Sequence, residues 1–283
     1  MAVTHPDPKA RATSNASGIP GVKHVIAVAS GKGGVGKSTT SCNLALGFAA
    51  IGLRAGILDA DIYGPSQPKL FGLRGKPRLV DGRKLEPMER FGVKVMSIGF
   101  LIEEDLAMIW RGPMVISAIT QMLREVAWGD LDILVVDLPP GTGDAQLTMA
   151  QQTPLGGAII VSTPQDIALI DARRGIAMFE KVNVPLLGVI ENMSGFCCPA
   201  CNRVTPIFGH GGARLEAEIR GIPYLGEIPL DIHIRQTSDD GRPIVATEPD
   251  SMHARHYIDI ARTVWTAVTT GAANRPAPRI VIE

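Results

Sequence analysis

The chain has 283 residues, and Lys plus Arg balance Asp plus Glu at 28 each, so its formal net charge is zero. This balance disfavours a protein that binds nucleic acid by neutralising phosphates, because such proteins usually carry a basic excess. No apolar run reaches the roughly 18 residues that a membrane-spanning helix needs, and residues 1–21 lack the hydrophobic core of a signal peptide. We therefore expect a cytoplasmic protein with no nucleic-acid or membrane partner. Its four cysteines are then reduced thiols, metal ligands or redox groups.

Apolar runs alternate with helical patterns between two segments that are predicted to be flexible tails, residues 1–22 and 271–283. Strands are predicted over 24–30, 55–61, 132–138, 157–163, 185–193 and 224–228. Helices are predicted over 37–51, 113–128, from 144 onward, 165–180, 212–220 and 249–269. An Asp-Gly turn signal and an alternating stretch predict a small β-hairpin insertion within 78–101. Apolar strands separated by helices indicate one doubly wound α/β domain, residues 23–270, with a mainly parallel sheet.

The first predicted strand and helix are joined by a glycine-rich loop, GKGGVGKS, which satisfies the pattern G-x-x-x-x-G-K-[ST] in full. Glycines let the backbone wrap around phosphate oxygens, and its N–H groups then form an anion site at the helix N-terminus. The pattern predicts that ATP or GTP binds here with Mg²⁺, with Lys37 on the β- and γ-phosphates and the Ser38 hydroxyl on Mg²⁺. The predicted nucleotide-binding residues are Gly31, Lys32, Gly33, Gly34, Val35, Gly36, Lys37, Ser38 and Thr39.

Three aspartates follow predicted strands, and the carboxyl ends of parallel strands face the crevice where ligands bind. We expect Asp61 to position or activate the attacking water. Asp137 follows a hydrophobic run, as in a Walker B motif, and is expected to hold Mg²⁺ through water. Asp59 is either a weaker candidate for magnesium or a turn or cap residue. Gly141, in PPGTGD, is placed to offer its N–H to the γ-phosphate.

Cys198 and Cys201 form a C-x-x-C pair in a predicted loop over 194–210. Two thiolates at this spacing can bind one metal together, but zinc and iron–sulfur sites usually need four protein ligands. Two chains that each supply a pair would complete the set. The spacing leaves open an iron–sulfur cluster, a zinc site, a redox dithiol or inert thiols. Cys197 ranks lower because a neighbouring side chain points in a different direction, and His210 is the nearest imidazole.

Several motifs together resemble one family, the Mrp/ApbC iron–sulfur cluster carrier ATPases. They cover residues 24 to about 265 and read VIAVASGKGGVGKST, LDADIYGPSQPKLFG, WRGPMV, LDILVVDLPPGTGDAQLT, VSTPQDIALIDARRGI, GVIENMS, CPAC with IFGHGGA, and LGEIPLD. The phosphate loop also looks like the deviant Walker A loop of the MinD, ParA, nitrogenase iron-protein and ArsA group. The combination of DADIYGPS, ENMS and C-x-x-C in this order distinguishes the first family from the others.

The resemblance implies a P-loop NTPase fold of the SIMIBI type and a slow, Mg²⁺-dependent ATPase. It implies a homodimer that binds a [4Fe-4S] cluster through Cys198 and Cys201 of each subunit. Apo iron–sulfur proteins and cluster assembly proteins are the implied partners. Lys32 would reach the partner subunit's nucleotide, so the expected catalytic residues are Lys32, Lys37, Asp61 and Asp137. Asn192 would read the purine edge, and an ordinary polar residue at a strand end is the alternative.

The second candidate function is a positioning or partitioning ATPase like MinD or ParA. MinD-type proteins end in an amphipathic membrane helix, whereas residues 274–283 are short and interrupted by prolines. ParA-type proteins need a basic surface for DNA, which a zero net charge disfavours. Neither function uses the cysteine pair. A kinase or reductase that shares the loop would need a substrate pocket from 78–101, where no catalytic pattern is present.

Overall fold

The computed structural model describes residues 18–80, 82–101 and 112–271. The strands are β1 Val22–Ala29, β2 Ala55–Asp59, β3 Leu79–Val80, β4 Lys84–Leu85, β5 Met88–Arg90, β6 Val93–Ser97, β7 Leu131–Asp137, β8 Gly157–Ser162, β9 Leu186–Cys197, β10 Val204–Thr205 and β11 Tyr224–Leu230. The helices are α1 Lys37–Ala50, α2 Gln67–Leu70, α3 Gly112–Arg124, α4 Asp144–Gln152, α5 Asp166–Lys181, α6 Gly212–Arg220, α7 Ile232–Asp239, α8 Ile244–Thr247 and α9 Met252–Thr270, with a 3₁₀ turn at Ile98–Phe100. None of the described helices is both long and apolar enough to span a membrane.

Nine strands form one sheet in the order β10-β9-β8-β1-β7-β2-β6-β5, and β11 pairs with β9. The pairings are parallel except β5 with β6 and β9 with β10. In register, Asp137 at the end of β7 lies beside Val28 of β1 and Asp59 of β2. The three central strands therefore end together, and the prediction of a mainly parallel α/β sheet with flanking helices is confirmed.

The central strands are buried because helices cover the sheet. Every residue of β2 and β8 is buried, as are most residues of β1 and β7. This burial explains why these strands read as continuous apolar runs rather than alternating ones. Helix α1, which follows the phosphate loop, packs against β2, β7 and α9. The loop is thus anchored between a buried strand and a buried helix.

The chain enters the fold earlier than predicted. Ile19 and Val22 have exposed fractions of 2% and 0%, and β1 begins at Val22. The predicted tail over 1–22 is therefore wrong at its end, while residues 1–17 lie outside the described part. At the other end, Gly271 takes a left-handed conformation with φ of 65° and caps α9. Residues 272–283 lie outside the described residues, so that tail stays a prediction.

The predicted hairpin region contains two antiparallel pairs rather than one insertion. Strands β3 and β4 form a separate two-stranded sheet, as a small hairpin insertion would. Strand β6, however, pairs in parallel with β2 and belongs to the main sheet. Its Val93, Val95 and Met96 are fully buried. The stretch VKVMS is therefore a core strand, which corrects the prediction that it belongs to the insertion.

Candidate functional site

The phosphate loop adopts a shape that depends on glycine at two positions. A Cβ on Gly31 would lie 2.1 Å from the backbone carbonyl of Asp171 in α5. Gly36 precedes α1 with φ of 81°, and a Cβ there would lie 2.1 Å from the side-chain nitrogen of Asn192. Such contacts leave no room for a side chain, and L-residues rarely adopt this φ. The loop is therefore packed against α5 on one side and the end of the sheet on the other.

The base of the loop holds a buried ion pair. Lys37 Nζ lies 2.5 Å from Asp137 Oδ1 and 3.1 Å from Ser38 Oγ, and the two charged side chains have exposed fractions of 6% and 0%. The Ser41 hydroxyl donates to the same Asp137 oxygen at 2.8 Å. The structure thus brings together Lys37, Ser38 and Asp137, as the sequence predicts. A hydroxyl and a carboxylate are oxygen donors of the kind Mg²⁺ prefers.

Gln67 is a member of this network that sequence reasoning missed. Its Nε2 donates to Asp137 Oδ2 at 2.8 Å and to the Ser38 carbonyl at 3.1 Å. Its Oε1 is buried and has no hydrogen-bond partner among the described residues. A buried acceptor beside a hydroxyl and a carboxylate fits a hydrated cation, because bound waters donate hydrogen bonds. The only signal in the sequence is its place in the motif LDADIYGPSQPKLFG.

Asp59 is fully buried and its carboxylate is satisfied by protein donors. It accepts from the Ser97 hydroxyl at 3.0 Å and from the backbone N–H groups of Gln67 at 3.0 Å and Asp61 at 3.2 Å. Burial, followed by the charge of Asp137, raises the pKa of Asp59 to about 7. These contacts favour the alternative of a turn or cap residue over magnesium binding.

Asp61 lies closer to the surface, with an exposed fraction of 9%, and accepts from the Gly64 amide at 3.3 Å. Burial raises the pKa of this carboxyl, and the Lys37 charge opposes the rise. A raised pKa suits a group that takes a proton from water. The assignment of Asp61 to the attacking water stays a prediction.

The Gly141 amide is already engaged. Gly141 has φ of 104° and donates its N–H to the Ser30 carbonyl at 2.9 Å. In this conformation the amide is bonded within the chain, and its role at the γ-phosphate stays a prediction. Binding a γ-phosphate there would require the PPGTGD segment to change shape.

The outer part of the loop faces solvent. Gly33 and Gly34 are exposed, and Lys32 is half-buried. The Lys32 carbonyl accepts from the Ser30 hydroxyl at 2.9 Å, whereas no acidic side chain in the described part of the chain pairs with its ammonium group. That ammonium is therefore free to meet a group from outside its own chain.

A cavity of about 270 Å³ opens beside the loop, with Gly36 and Thr39 on one side. Asn192 lines it too, and its Nδ2 donates to the Val35 carbonyl at 2.8 Å. A concave, mostly apolar site with a few placed polar groups is typical of small-ligand binding. The apolar lining comprises Leu70, Met193, Pro229, Leu230 and Ile234. The cavity adjoins the loop where a nucleoside would follow its phosphates, and sequence reasoning did not predict this lining.

Strand β9 carries the backbone from the sheet to the cysteine pair. Its last two residues pair antiparallel with β10. The turn between them is closed by bonds from the Cys198 amide to the Arg203 carbonyl at 3.0 Å and from the Asn202 amide to the Cys198 carbonyl at 2.8 Å. The prediction of a loop over 194–210 is therefore wrong at its start, since β9 continues to Cys197. The cysteines sit in the tight turn of a hairpin.

The turn brings Cys198 and Cys201 together. The backbone N–H groups of Ala200 and Cys201, and the Cys201 side chain, hydrogen-bond to the Cys198 sulfur and lower its pKa. Cys201 and Cys197 are exposed, whereas Cys42 is buried in α1. A lowered pKa favours the thiolate, which is the form that binds metals. Cys197 pairs with Val204 in the strand, outside the turn.

Comparison with known proteins places this geometry in a family. A family model described as ParA, NUBPL iron-transfer P-loop NTPase, matches residues 21–265. The chain belongs to this family. The expected relation to the Mrp/ApbC carriers is thereby confirmed, and the chain is a P-loop NTPase with a nucleotide-binding loop.

Relatives in this family carry names that refer to iron–sulfur clusters. The chain is 55% identical over 245 residues to the Arabidopsis thaliana mitochondrial iron–sulfur protein required for NADH dehydrogenase, covering 86% of this chain and 78% of the relative. It is 54% identical to the iron–sulfur cluster transfer protein NUBPL of Mus musculus, covering 87% and 78%. It is 53% identical to the iron–sulfur cluster carrier protein of Escherichia coli K12, covering 88% and 68%.

Solved structures agree on the fold. A nucleotide-binding protein from Archaeoglobus fulgidus, in complex with ADP, is 44% identical with a TM-score of 0.71, covering 81% of this chain and 90% of that one. The cell division ATPase MinD of Pyrococcus furiosus has a TM-score of 0.62 at 21% identity, covering 86% and 98%. The relation to MinD is therefore one of fold alone.

Proposed function

We propose that the chain is an iron–sulfur cluster carrier in which nucleotide state controls the hold on the cluster. The observation that carries this proposal is a single strand that joins the two sites. Asn192, within β9, donates to Val35 in the phosphate loop, and the same strand ends at Cys197, beside Cys198. At about 3.3 Å per residue, the strand from 192 to 198 spans about 20 Å. A movement of the loop is thus passed along a paired strand to the cysteine turn.

The cargo is a [4Fe-4S] cluster shared by two copies of the chain. Such clusters take four thiolates, and each turn supplies Cys198 and Cys201. A homodimer therefore provides the full set. Both the lowered pKa of the Cys198 thiol and the exposed position of the turn suit a cluster that is accepted and released. The recipients are apo iron–sulfur proteins, and cluster assembly proteins act as donors.

Nucleotide binding rearranges the buried ion pair. When the loop amides and Lys37 bind the β- and γ-phosphates, the ammonium exchanges its contact with Asp137 for phosphate oxygens. Asp137 and the Ser38 hydroxyl are then free to hold Mg²⁺, which neutralises phosphate charge when bound. Asp61 positions the attacking water, and Lys32 contacts the nucleotide of the partner subunit. The activity is a slow ATP hydrolysis.

Asn192 also selects the base. Its Nδ2 is used by Val35, and its Oδ1 has no partner among the described residues. Adenine presents an amino group that this oxygen can accept from, whereas guanine presents a carbonyl at that position. ATP is therefore favoured over GTP. The cytoplasmic location, and the absence of nucleic-acid and membrane partners, stay predictions from the sequence.

Anaerobic reconstitution with iron and sulfide tests the carrier role. The wild-type chain should gain a visible charge-transfer band with one cluster per two chains. C198A/C201A should lose the band and still bind ADP, and the matched control C197A should keep both. Full iron and sulfide uptake by C198A/C201A would contradict the proposal. A wild-type chain that binds stoichiometric zinc and takes up no sulfide would also contradict it.

A further inference from the structure

Three metal-ligating side chains converge beyond the cysteine hairpin. Glu191 lies in β9, His210 in the segment before α6, and Glu227 in β11. One ligand atom from each lies within 4.8 Å of the other two, and His210 Nε2 is 3.0 Å from Glu227 Oε2. Neither the nucleotide site nor the cysteine turn uses these groups. Three different elements therefore deliver one imidazole and two carboxylates to one place.

Glu191 is the fixed member of the group. Its side chain is fully buried, and its two oxygens accept from the amides of Gly211 and Ala213, each at 2.8 Å. These bonds hold the carboxylate in place, and each oxygen keeps a second lone pair. Outer hydrogen bonds of this kind orient metal ligands in proteins. The Glu191 carboxylate is thus fixed in position and still has lone pairs available for a metal ion.

The charge around the cluster favours a cation. Two carboxylates face one imidazole, and Arg214, stacked at 4.7 Å over the Tyr224 ring, and His256 are nearby groups that can carry positive charge. A bound cation would relieve the repulsion between the two carboxylates.

We propose that Glu191, His210 and Glu227 bind one divalent transition-metal ion, separate from the cluster at the cysteine turn. One imidazole nitrogen and two carboxylate oxygens suit Zn²⁺, Co²⁺ or Fe²⁺ rather than Mg²⁺ or Ca²⁺. Ligand bonds of about 2.0–2.2 Å place ligand atoms of a tetrahedral site roughly 3.4 Å apart. His210 Nε2 and Glu227 Oε2, at 3.0 Å, lie slightly closer than this. A Glu191 oxygen lies within 4.8 Å of a ligand atom of each, so side-chain movements of up to about 1.4 Å give the tetrahedral spacing.

The position of the site gives the ion a structural role next to the cysteines. It joins β9 and β11 to the segment that runs from β10 to α6, immediately after the cysteine hairpin. The His210 and Glu227 side chains have exposed fractions of 53% and 37%, so an ion can enter from solvent and keep water as a further ligand. A bound ion would fix the far end of the hairpin to the sheet. This site does not depend on whether the cysteines bind a cluster.

Titration with Co²⁺ tests the site in a chain from which the three thiols of the cysteine hairpin are removed. The parent is the full chain C197A/C198A/C201A without a histidine tag, and the titration is followed by visible absorption. It should bind one Co²⁺ with a spectrum that lacks the intense thiolate charge-transfer band. H210Q and E227Q should each weaken the affinity about tenfold or more. Both side chains are partly exposed, so thermal unfolding should show that the variants are folded.

His233 provides the matched control. It lies 2.7 Å from Glu248 and is similarly exposed, but no third ligand completes that pair in the described residues. H233Q should therefore leave Co²⁺ affinity within twofold of the parent. Failure of the parent to bind a stoichiometric ion would overturn the proposal. So would an H210Q variant that binds as tightly as the parent, or an equal loss in H233Q.

Discussion

Replacing Asn192 with alanine should weaken nucleotide binding while the chain stays folded. Asn192 has an exposed fraction of 7%, and its Nδ2 lies 2.8 Å from the Val35 carbonyl. Truncation leaves that buried carbonyl without its donor, at a cost of about 1–3 kcal/mol. A difference of 1.4 kcal/mol is about tenfold in an equilibrium constant. Because this bond holds the phosphate loop, the cost falls on its binding-competent shape, and ADP affinity should fall roughly 5- to 150-fold.

Isothermal titration with ADP, paired with thermal unfolding, measures both effects. The control is S194A, two residues further along the same strand, where the hydroxyl donates to the Ile228 carbonyl at 3.3 Å and makes no hydrogen bond to the loop. Its ADP affinity should stay within twofold of wild type. An N192A chain that binds ADP as tightly as wild type would refute the proposed link between β9 and the loop.

Three further predictions concern the base of the site. K37A removes the partner of a buried carboxylate, so it should lower the free energy of unfolding by about 3–5 kcal/mol. In urea unfolding, K37A/D137N should regain part of this loss. Equal stability of K37A and wild type would contradict the buried ion pair. The fold raises the pKa of Asp59 from its ordinary value of 3.8 to about 7. The folded chain therefore holds a proton that the unfolded chain releases, and stability should fall as pH rises from about 4 through 7. D59N should show a smaller decrease between about pH 5 and pH 8, and an unchanged slope would count against the assignment. In G31A the new Cβ would lie 2.1 Å from a backbone carbonyl of α5, so the free energy of unfolding should fall by about 1–3 kcal/mol. G33A, whose Cβ would have its nearest contact at 3.9 Å, is the control. Equal unfolding midpoints of the two variants would show that the close approach at Gly31 does not affect stability.

Local signals made the nucleotide loop predictable, since its chemistry lies in consecutive residues between a strand and a helix. The meeting of Lys37 with Asp137, 100 residues apart, also follows from sequence, because parallel strands end at one edge of the sheet. The C-x-x-C spacing indicated a shared site for the two thiols. Predicting these features requires only the order of residues along the chain and the rule that parallel strands end at one edge of the sheet.

Other features depend on contacts that no local pattern encodes. Gln67 lies in a helix of four residues, too short to show helical periodicity, and the short helices α7 and α8 were missed for the same reason. Strand β9 continues through Ser194 and Gly195, which resemble a loop in sequence, to Phe196, which pairs with Leu230 of β11 and Thr205 of β10. The bond from Asn192 to Val35 joins residues 157 apart. Each requires the tertiary fold.

Native mass spectrometry of the anaerobically reconstituted protein tests the central claim most directly. The account predicts one species with two chains and a single [4Fe-4S] cluster, which disappears in C198A/C201A. It also predicts that mixing wild-type chains with C198A/C201A chains yields no mixed dimer that retains the cluster. A single chain that holds an intact cluster alone, or a dimer that carries two, would contradict the claim that the paired turns of two chains share one cluster.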